Sequence, residues 1–381
     1  MSVWPLAPLA SAIQYRKEFV LIDDLSSYKR CRVQLHAQGI VLRDFVPGAE
    51  VKTKKQQICK AGDFLVAEID AKVGGFGIVP EELDQAIVSS HYFLFEVNEK
   101  VLNRRFLDFF IRTPAFREQV AAQGSTNYAA IRPNDVLGYK LPLPPLPEQK
   151  RIVARIESLS AKIEEAKRLQ GEITEILGNL CRSMIFNESF ASSTMTSMRD
   201  LVRLREPDVV VRSEEKYQFA GVYCFGRGVF KGQQKSGMEF AYPRLTRLQT
   251  GNFVYPKLMA WEGALGVVPS ECDGLMVSTE FPVFEVNESR VCPEVLDIYF
   301  RTPSVWPALA GASTGTNVRR KRLNPSDFLN YKMPLPPLPV QQKLRQVKGR
   351  ADSVTKLQAE TSAELAALLP SILDKAFKGE L

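Results

Sequence analysis

Apolar positions follow two rhythms along the chain, and the change from one to the other is abrupt. Up to about residue 147 the apolar runs are short and punctuated by Gly, Pro, Asn and Asp, as in FLVAEI (64–69) and YFLFEV (92–97). Short runs bounded in this way predict strands. The same texture returns between residues 191 and 339, in GLMVSTEF (274–281) and FPVFEV (281–286). Each stretch also holds one helical pattern, VLNRRFLDFFIRTPAFREQV (101–120) and CPEVLDIYFRTPSVWPAL (292–309). Both are expected to break at a Thr-Pro step, because the residue before a proline resists the helical region. The mixture is α+β, with more sheet than helix.

The second rhythm follows two proline runs, PLPPLP at 142–147 and again at 334–339, which are extended by the chemistry of proline. Beyond the first, apolar residues stand at Ile152, Ile156, Leu159, Ile163, Ala166, Ile173, Leu177, Leu180 and Met184, with Gln170 the one polar member. Alternating steps of four and three are the seam of a coiled coil. The matching tail offers Val347, Ala351, Val354, Leu365, Leu368 and Ile372, interrupted by Gln358 and Thr361. So weak a seam needs a partner, and the first helix is the nearest. The expected organisation is a globular stretch at 1–147, a spacer helix at 148–190, a second globular stretch at 191–339 and a second spacer helix at 340–381.

The two halves are copies of one another. FEVNE at Phe95 returns at Phe284, GGFGIVP at Gly74 answers GALGVVP at Gly263, and GDFLV at Gly62 answers GNFVY at Gly251, all displaced by 189 residues. LPLPPLPEQKR from Leu141 answers MPLPPLPVQQK from Met333, displaced by 192, so the second copy gained three residues near STGTNVRRKRLNP. Shared blocks at one register identify a tandem duplication, and a repeat of this kind dictates the fold.

Charge and composition narrow the chemistry. Lys+Arg 50 against Asp+Glu 43 gives a formal charge of +7, so only local clustering can support a nucleic-acid reading. No apolar stretch suits a membrane span or a leader, which leads to the expectation of a cytoplasmic chain. Six cysteines are scattered without a CxxC pair, and His36 and His91 are the only histidines, so disulfide frameworks and histidine-rich metal or catalytic centres are not expected. Neither a GxxxxGK[ST] phosphate loop nor an NPPF or DPPY tetrapeptide occurs. Asp63, Glu68, Asp70 and Lys72 resemble the carboxylate–lysine step of metal-dependent nucleases. The second half has Met259, Ala260 and Trp261 where the DAK triplet stands, so a nuclease could occupy one half at most.

Basic residues cluster in corresponding stretches of both halves. The first offers Lys52, Lys54, Lys55 and Lys60, then Ser125, Asn127, Tyr128 and Arg132 in GSTNYAAIRP. The second offers Arg227, Lys231, Lys235, Arg244 and Arg247, then Asn317, Arg319, Arg320, Lys321 and Arg322. Lys and Arg neutralise phosphates, Arg reads guanine and Asn or Gln reads adenine. Framework blocks match between halves while the stretches between them differ, which suits two readers of different sequences.

A globular unit, then Y-K-[LM]-P-L-P-P-L-P-x-Q (Tyr139–Gln149 and Tyr331–Gln341), then a long helix, twice over, resembles the specificity subunit of a type I restriction–modification system. The resemblance spans essentially the whole chain. It implies two target recognition domains related by pseudo-two-fold symmetry, and spacer helices paired as an antiparallel coiled coil. It further implies double-stranded DNA, methyltransferase (modification) subunits and a motor-nuclease (restriction) subunit as partners. No catalysis and no metal are expected in this chain; S-adenosylmethionine, ATP and Mg belong to the partner subunits. The equivalent subunit of a fused methylase–nuclease system, and a coiled-coil scaffold that never touches DNA, are the competing readings.

Overall fold

The computed structural model describes residues 4–121, 130–187, 195–313 and 321–381. The chain divides into two compact units, one built from the residues up to Arg168 together with Glu360–Leu381, the other from Leu169–Ala359. Each is described by itself.

In the first unit a four-stranded antiparallel sheet runs in the order Ile13–Arg16, Tyr92–Val97, Phe64–Ala67, Phe76–Ile78. A five-stranded sheet follows the order Phe19–Leu21, Lys55–Ile58, Ile87–Val88, Ser27–Gln34, Gly39–Pro47, with one parallel junction at Arg30 and Ile87. The helical pattern at 101–120 forms as two helices, Arg104–Phe110 and Pro114–Ala121, with the break at the Thr-Pro step. They close an aromatic core in which Phe64, Phe76, Phe95 and Phe116 are fully buried.

The second unit repeats this plan strand for strand. Its four-stranded sheet is Val202–Leu204, Val283–Val286, Phe253–Val254, Gly266–Val267. Its five-stranded sheet is Val209–Val210, Arg244–Arg247, Met276–Ser278, Lys216–Tyr223, Gly228–Ser236, with the parallel junction now at Phe219 and Met276. Even the register irregularity in the long hairpin recurs, at Arg30/Cys31 and at Gln218/Ala220. Such bulges are built features of a sheet, and their recurrence follows from the duplication.

The two long helices are continuous over Leu146–Ile185 and Leu338–Lys378, so the last Leu-Pro of each proline run, expected to be extended, is already in the first helical turn, where a proline costs no hydrogen bond. In the first unit Ile152, Val153 and Ile156 share the core with Leu373, Ala376 and Phe377. In the second, Cys181 and Ile185 share the core with Leu344. Early residues of one helix meet late residues of the other in both units, which is the antiparallel order. The polar breaks in the two seams also meet: the Gln358 side chain donates to the Gln170 carbonyl at 3.2 Å, and the Thr174 hydroxyl donates to Gln358 Oε1 at 3.0 Å.

The seam departs from the sequence reading beyond these polar residues. Ile152, Ile156 and Ile163 are buried, and Leu159, Leu177, Val347, Leu365 and Ile372 are half-buried. Ile173 and Leu180, expected on the seam, are 44% and 46% exposed, while Cys181 is buried and the exposed Thr174 reaches Gln358 only through its hydroxyl. Val354 and Leu368 are likewise 36% and 43% exposed, and Leu369 and Leu373 pack on the core. The physical reason is phase. A straight helix turns once per 3.6 residues, so a strict seven-residue repeat drifts around it. A step of eleven residues, Gln170 to Cys181 or Gln358 to Leu369, restores the inward face, and beyond it each seam moves by one residue.

The proline motif has a clear role in the structure. Its glutamine, Gln149 in one unit and Gln341 in the other, is fully buried. Gln149 Oε1 accepts the Asn103 backbone N–H at 2.8 Å, and its amide nitrogen donates to the carbonyls of Val101 (2.9 Å) and Pro144 (2.8 Å). Gln341 repeats all three bonds, to Cys292 N (2.9 Å), Arg290 O (3.3 Å) and Pro336 O (2.8 Å). One side chain thus ties the proline corner, the helix root and the globular domain together. Replacing Gln149 by Leu leaves an N–H and two carbonyls buried without partners, and is expected to destabilise the first unit by about 2–4 kcal/mol. A lowered thermal unfolding midpoint checks this, with Gln149→Glu no milder than Gln149→Leu, because a buried carboxylate cannot donate to the two carbonyls.

Candidate DNA interface

The structure separates the basic candidates sharply. In the first unit Lys54 pairs with Asp24 and donates to the Gly48 carbonyl, Lys60 pairs with Glu18 at 2.7 Å, and Lys55 lies 4.6 Å from the Phe19 ring centre. Lys52 alone of these four is exposed without an acidic or aromatic partner among the described residues. In the second unit Lys231 and Lys235 are exposed on the edge strand Gly228–Ser236, and Arg244 and Arg247 on the strand Arg244–Arg247. None of these four side chains pairs with a carboxylate among the described residues, nor does Arg227, which lies 4.5 Å over the Tyr223 ring. Gln233 and Gln234 are exposed beside the two lysines. Ser125, Asn127, Tyr128, Asn317, Arg319 and Arg320 lie outside the described residues.

Where the chain re-enters the fold after those loops, the two units use one architecture with reversed charge. The Ile131 N–H donates to the Glu68 carbonyl at 3.0 Å, and the Leu323 N–H to the Lys257 carbonyl at 2.9 Å. In the first unit the Glu68 carboxylate takes His91 Nδ1 at 2.9 Å and Arg132 Nη1 at 2.7 Å. In the second, Lys257 approaches Glu280 at 3.8 Å and Arg322 pairs with the same glutamate. Lys321 donates to the Ala310 carbonyl at 3.3 Å. Arg132 and Arg322 are therefore anchors of the strand-to-helix return as well as basic side chains. The sequence reading lacked their acidic partners, which sit far away in the chain.

Two of the carboxylates considered for a nuclease, Asp63 and Glu68, are engaged separately. Asp63 is buried against Arg16 and accepts the Lys60 N–H at 2.8 Å. Burial pushes its carboxyl up, while the Arg16 guanidinium pulls it down. Among the described residues no group of three or more His, Cys, Asp or Glu is arranged to hold a metal ion, and no helix is long and apolar enough to cross a membrane.

A second feature recurs at the tips of the long hairpins. His36, Ala37, Phe225 and Gly226 all have positive φ, of 61°, 57°, 62° and 65°. Each tip is held by two backbone bonds to the tight turn beneath it. His36 N–H donates to Val73 O at 2.7 Å and Ala37 N–H to Gly74 O at 2.9 Å; Phe225 N–H donates to Glu262 O at 2.8 Å and Gly226 N–H to Gly263 O at 3.0 Å. The sequence offered no hairpin signal here, because the usual Asn-Gly or Asp-Gly pair is absent.

Residues 37–175 match the family model of the type I restriction modification DNA specificity domain. The chain is 21% identical over 315 residues to the type I restriction enzyme EcoKI specificity subunit of Escherichia coli (strain K12), covering 74% of this chain and 67% of that protein. Its fold is similar to the crystal structure of the HsdS subunit from Thermoanaerobacter tengcongensis, with a TM-score of 0.59 and 23% identity over 99% of this chain and 97% of that one. A chain from a study of complex assembly and conformational transition of the type I R-M system matches with a TM-score of 0.67 and 21% identity, over 99% and 98% of the two chains.

The charge-reversed anchors can be interchanged. Glu68→Lys removes the acceptor of His91 and sets a second cation beside Arg132, and is expected to cost about 1–3 kcal/mol. Adding His91→Glu recreates the Lys257–Glu280 arrangement and should restore most of the thermal midpoint; a double variant no better than the single one excludes the equivalence.

Proposed function

This chain belongs to the family of type I restriction–modification specificity subunits, and from that premise we propose that each unit reads one half of a bipartite site in double-stranded DNA. The observation that carries the proposal is the pairing of one framework with two different exposed surfaces. Sheet order, bulge, helix break and glutamine staple are common to both units, whereas the exposed side chains of the long hairpins are not. Arg43, Asp44 and Phe45 on one strand stand where Gly232, Gln233 and Gln234 stand on the other. A scaffold that holds constant while its polar surface changes is what two readers of different half-sites require.

Affinity comes first from phosphate neutralisation, and the unpaired cations of the second unit supply it. In this reading the chain contributes recognition and no bond-making step. The methyltransferase subunits bring S-adenosylmethionine and methylate adenine, and the motor-nuclease subunit brings ATP and Mg. The long helices serve as spacer and as docking surface for the methyltransferase subunits. Each measures roughly 60 Å at 1.5 Å per residue, so its length governs how many base pairs separate the half-sites.

Inserting one heptad into both helices is expected to lengthen the unspecified gap and leave both half-sites unchanged, as read by adenine-methylation mapping of the assembled complex. Altered half-sites with an unaltered gap contradict the proposal. The double variant Lys231→Ala/Lys235→Ala is expected to weaken binding to every duplex alike and to reduce the slope of log affinity against log salt by about 1 per lysine.

A further inference from the structure

Only four described non-glycine residues have positive φ, and three of them, His36, Ala37 and Phe225, sit at the two hairpin tips. A bulky side chain in the left-handed region is strained, and strain persists where the surrounding fold enforces it. Here the enforcement is visible in the paired backbone bonds that hold each tip on the turns at Val73–Gly74 and Glu262–Gly263. Glycine would relieve the strain at either position, yet both units carry a planar ring there. The rings are not core: His36 is exposed and Phe225 is 65% exposed. Two residues further on, each tip presents an exposed side chain with hydrogen-bonding capacity, Gln38 in one unit and Arg227 in the other. Arg227 is steadied over Tyr223, which in turn stacks on Phe230 at 3.8 Å between ring centres.

We propose that these tips are the base-reading points of the two units. The ring at position 36 or 225 packs against a DNA base, and the side chain at 38 or 227 reads an adjacent base edge. The inference rests on the DNA-reading role proposed above and assigns it to particular residues. Exposed planar or apolar side chains on rigid supports stack on bases or wedge between base steps. A glutamine amide matches the donor–acceptor pattern of adenine, and a guanidinium matches the two acceptors of guanine. The half-site read by the first unit should therefore carry adenine at the tip-contacted position, and that read by the second should carry guanine.

The surroundings of the tips differ in charge. Gln38 lines a groove of about 530 Å³ that holds Arg104, Arg105 and Arg112 but also Glu81, Glu82 and Asp108. Phosphate attraction is thus weaker at the first tip, and the ring and amide carry more of the recognition. Arg227 is followed by the unpaired Lys231, so the second tip gains from phosphate contacts and its affinity should fall more steeply with salt.

The test uses the full chain assembled with its methyltransferase subunits and duplexes that carry its mapped target. Phe225→Gly is expected to leave the thermal midpoint unchanged or raised, because the strain is relieved, while weakening target binding about tenfold or more. Phe225→Tyr should retain most of the affinity. Gln38→Arg should shift the preferred base at one position of the first half-site from adenine to guanine and leave the second half-site alone. Unchanged affinity in Phe225→Gly together with unchanged methylation specificity in Gln38→Arg overturns the inference. Should the unsubstituted complex show no preference for its target duplex, the underlying DNA-reading role fails, and this assignment with it.

Discussion

Everything in this fold depends on how a long helix leaves a small sheet domain. A helix of some forty residues attached by a pliable joint would point anywhere, and its length would carry no information. Here the joint is a proline corner closed by one buried glutamine, which binds the backbone on three sides in each unit. Amide groups buried in this way are costly to leave unpaired, so the bonds form together or the corner does not form. The motif that is most prominent in the sequence is therefore a mechanical element, and the rigidity it gives to the helix root is what makes a spacer useful.

Duplication then provides two such roots, and each unit gathers the start of one helix and the end of the other. In the first unit the join is aromatic, with Phe377 against Phe106 and Phe110 at 4.9 and 5.1 Å. In the second, Cys181 and Ile185 fill the corresponding role with less volume. The contacts of Glu68 with His91 and of Lys257 with Glu280 illustrate the same drift: the contact is retained although the carboxylate has moved from one partner to the other. Constraint has acted on the architecture, leaving the exposed hairpin surfaces to diverge.

Much of this was legible in the chain because the repeat supplied its own comparison. Strands, helix breaks and spacer helices could be read from short apolar runs, Thr-Pro steps and proline clusters. The seam beyond Gln170 could not, since a strict heptad spacing selects Ile173 and Leu180 where the straight helix brings Cys181 inward. Nor could the state of the lysines be read. Lys54 and Lys60 look as available as Lys231 and Lys235 in sequence, but their partners Asp24 and Glu18 lie 30 and 42 residues away and meet them only in the folded sheet. The hairpin tips are illegible in sequence for a related reason: their left-handed backbone is imposed by bonds to a distant turn, against the local preference of His36 and Phe225.

If one framework carries two independent readers, a reader should remain itself when moved. Replacing the second globular stretch, residues 195–334, by a second copy of residues 6–142 and mapping adenine methylation by the assembled complex tests this most directly. The account predicts a target in which the half-site of the first unit stands at both ends of an unaltered gap. Retention of the original second half-site, or a complex that methylates a sequence unrelated to either, would contradict it.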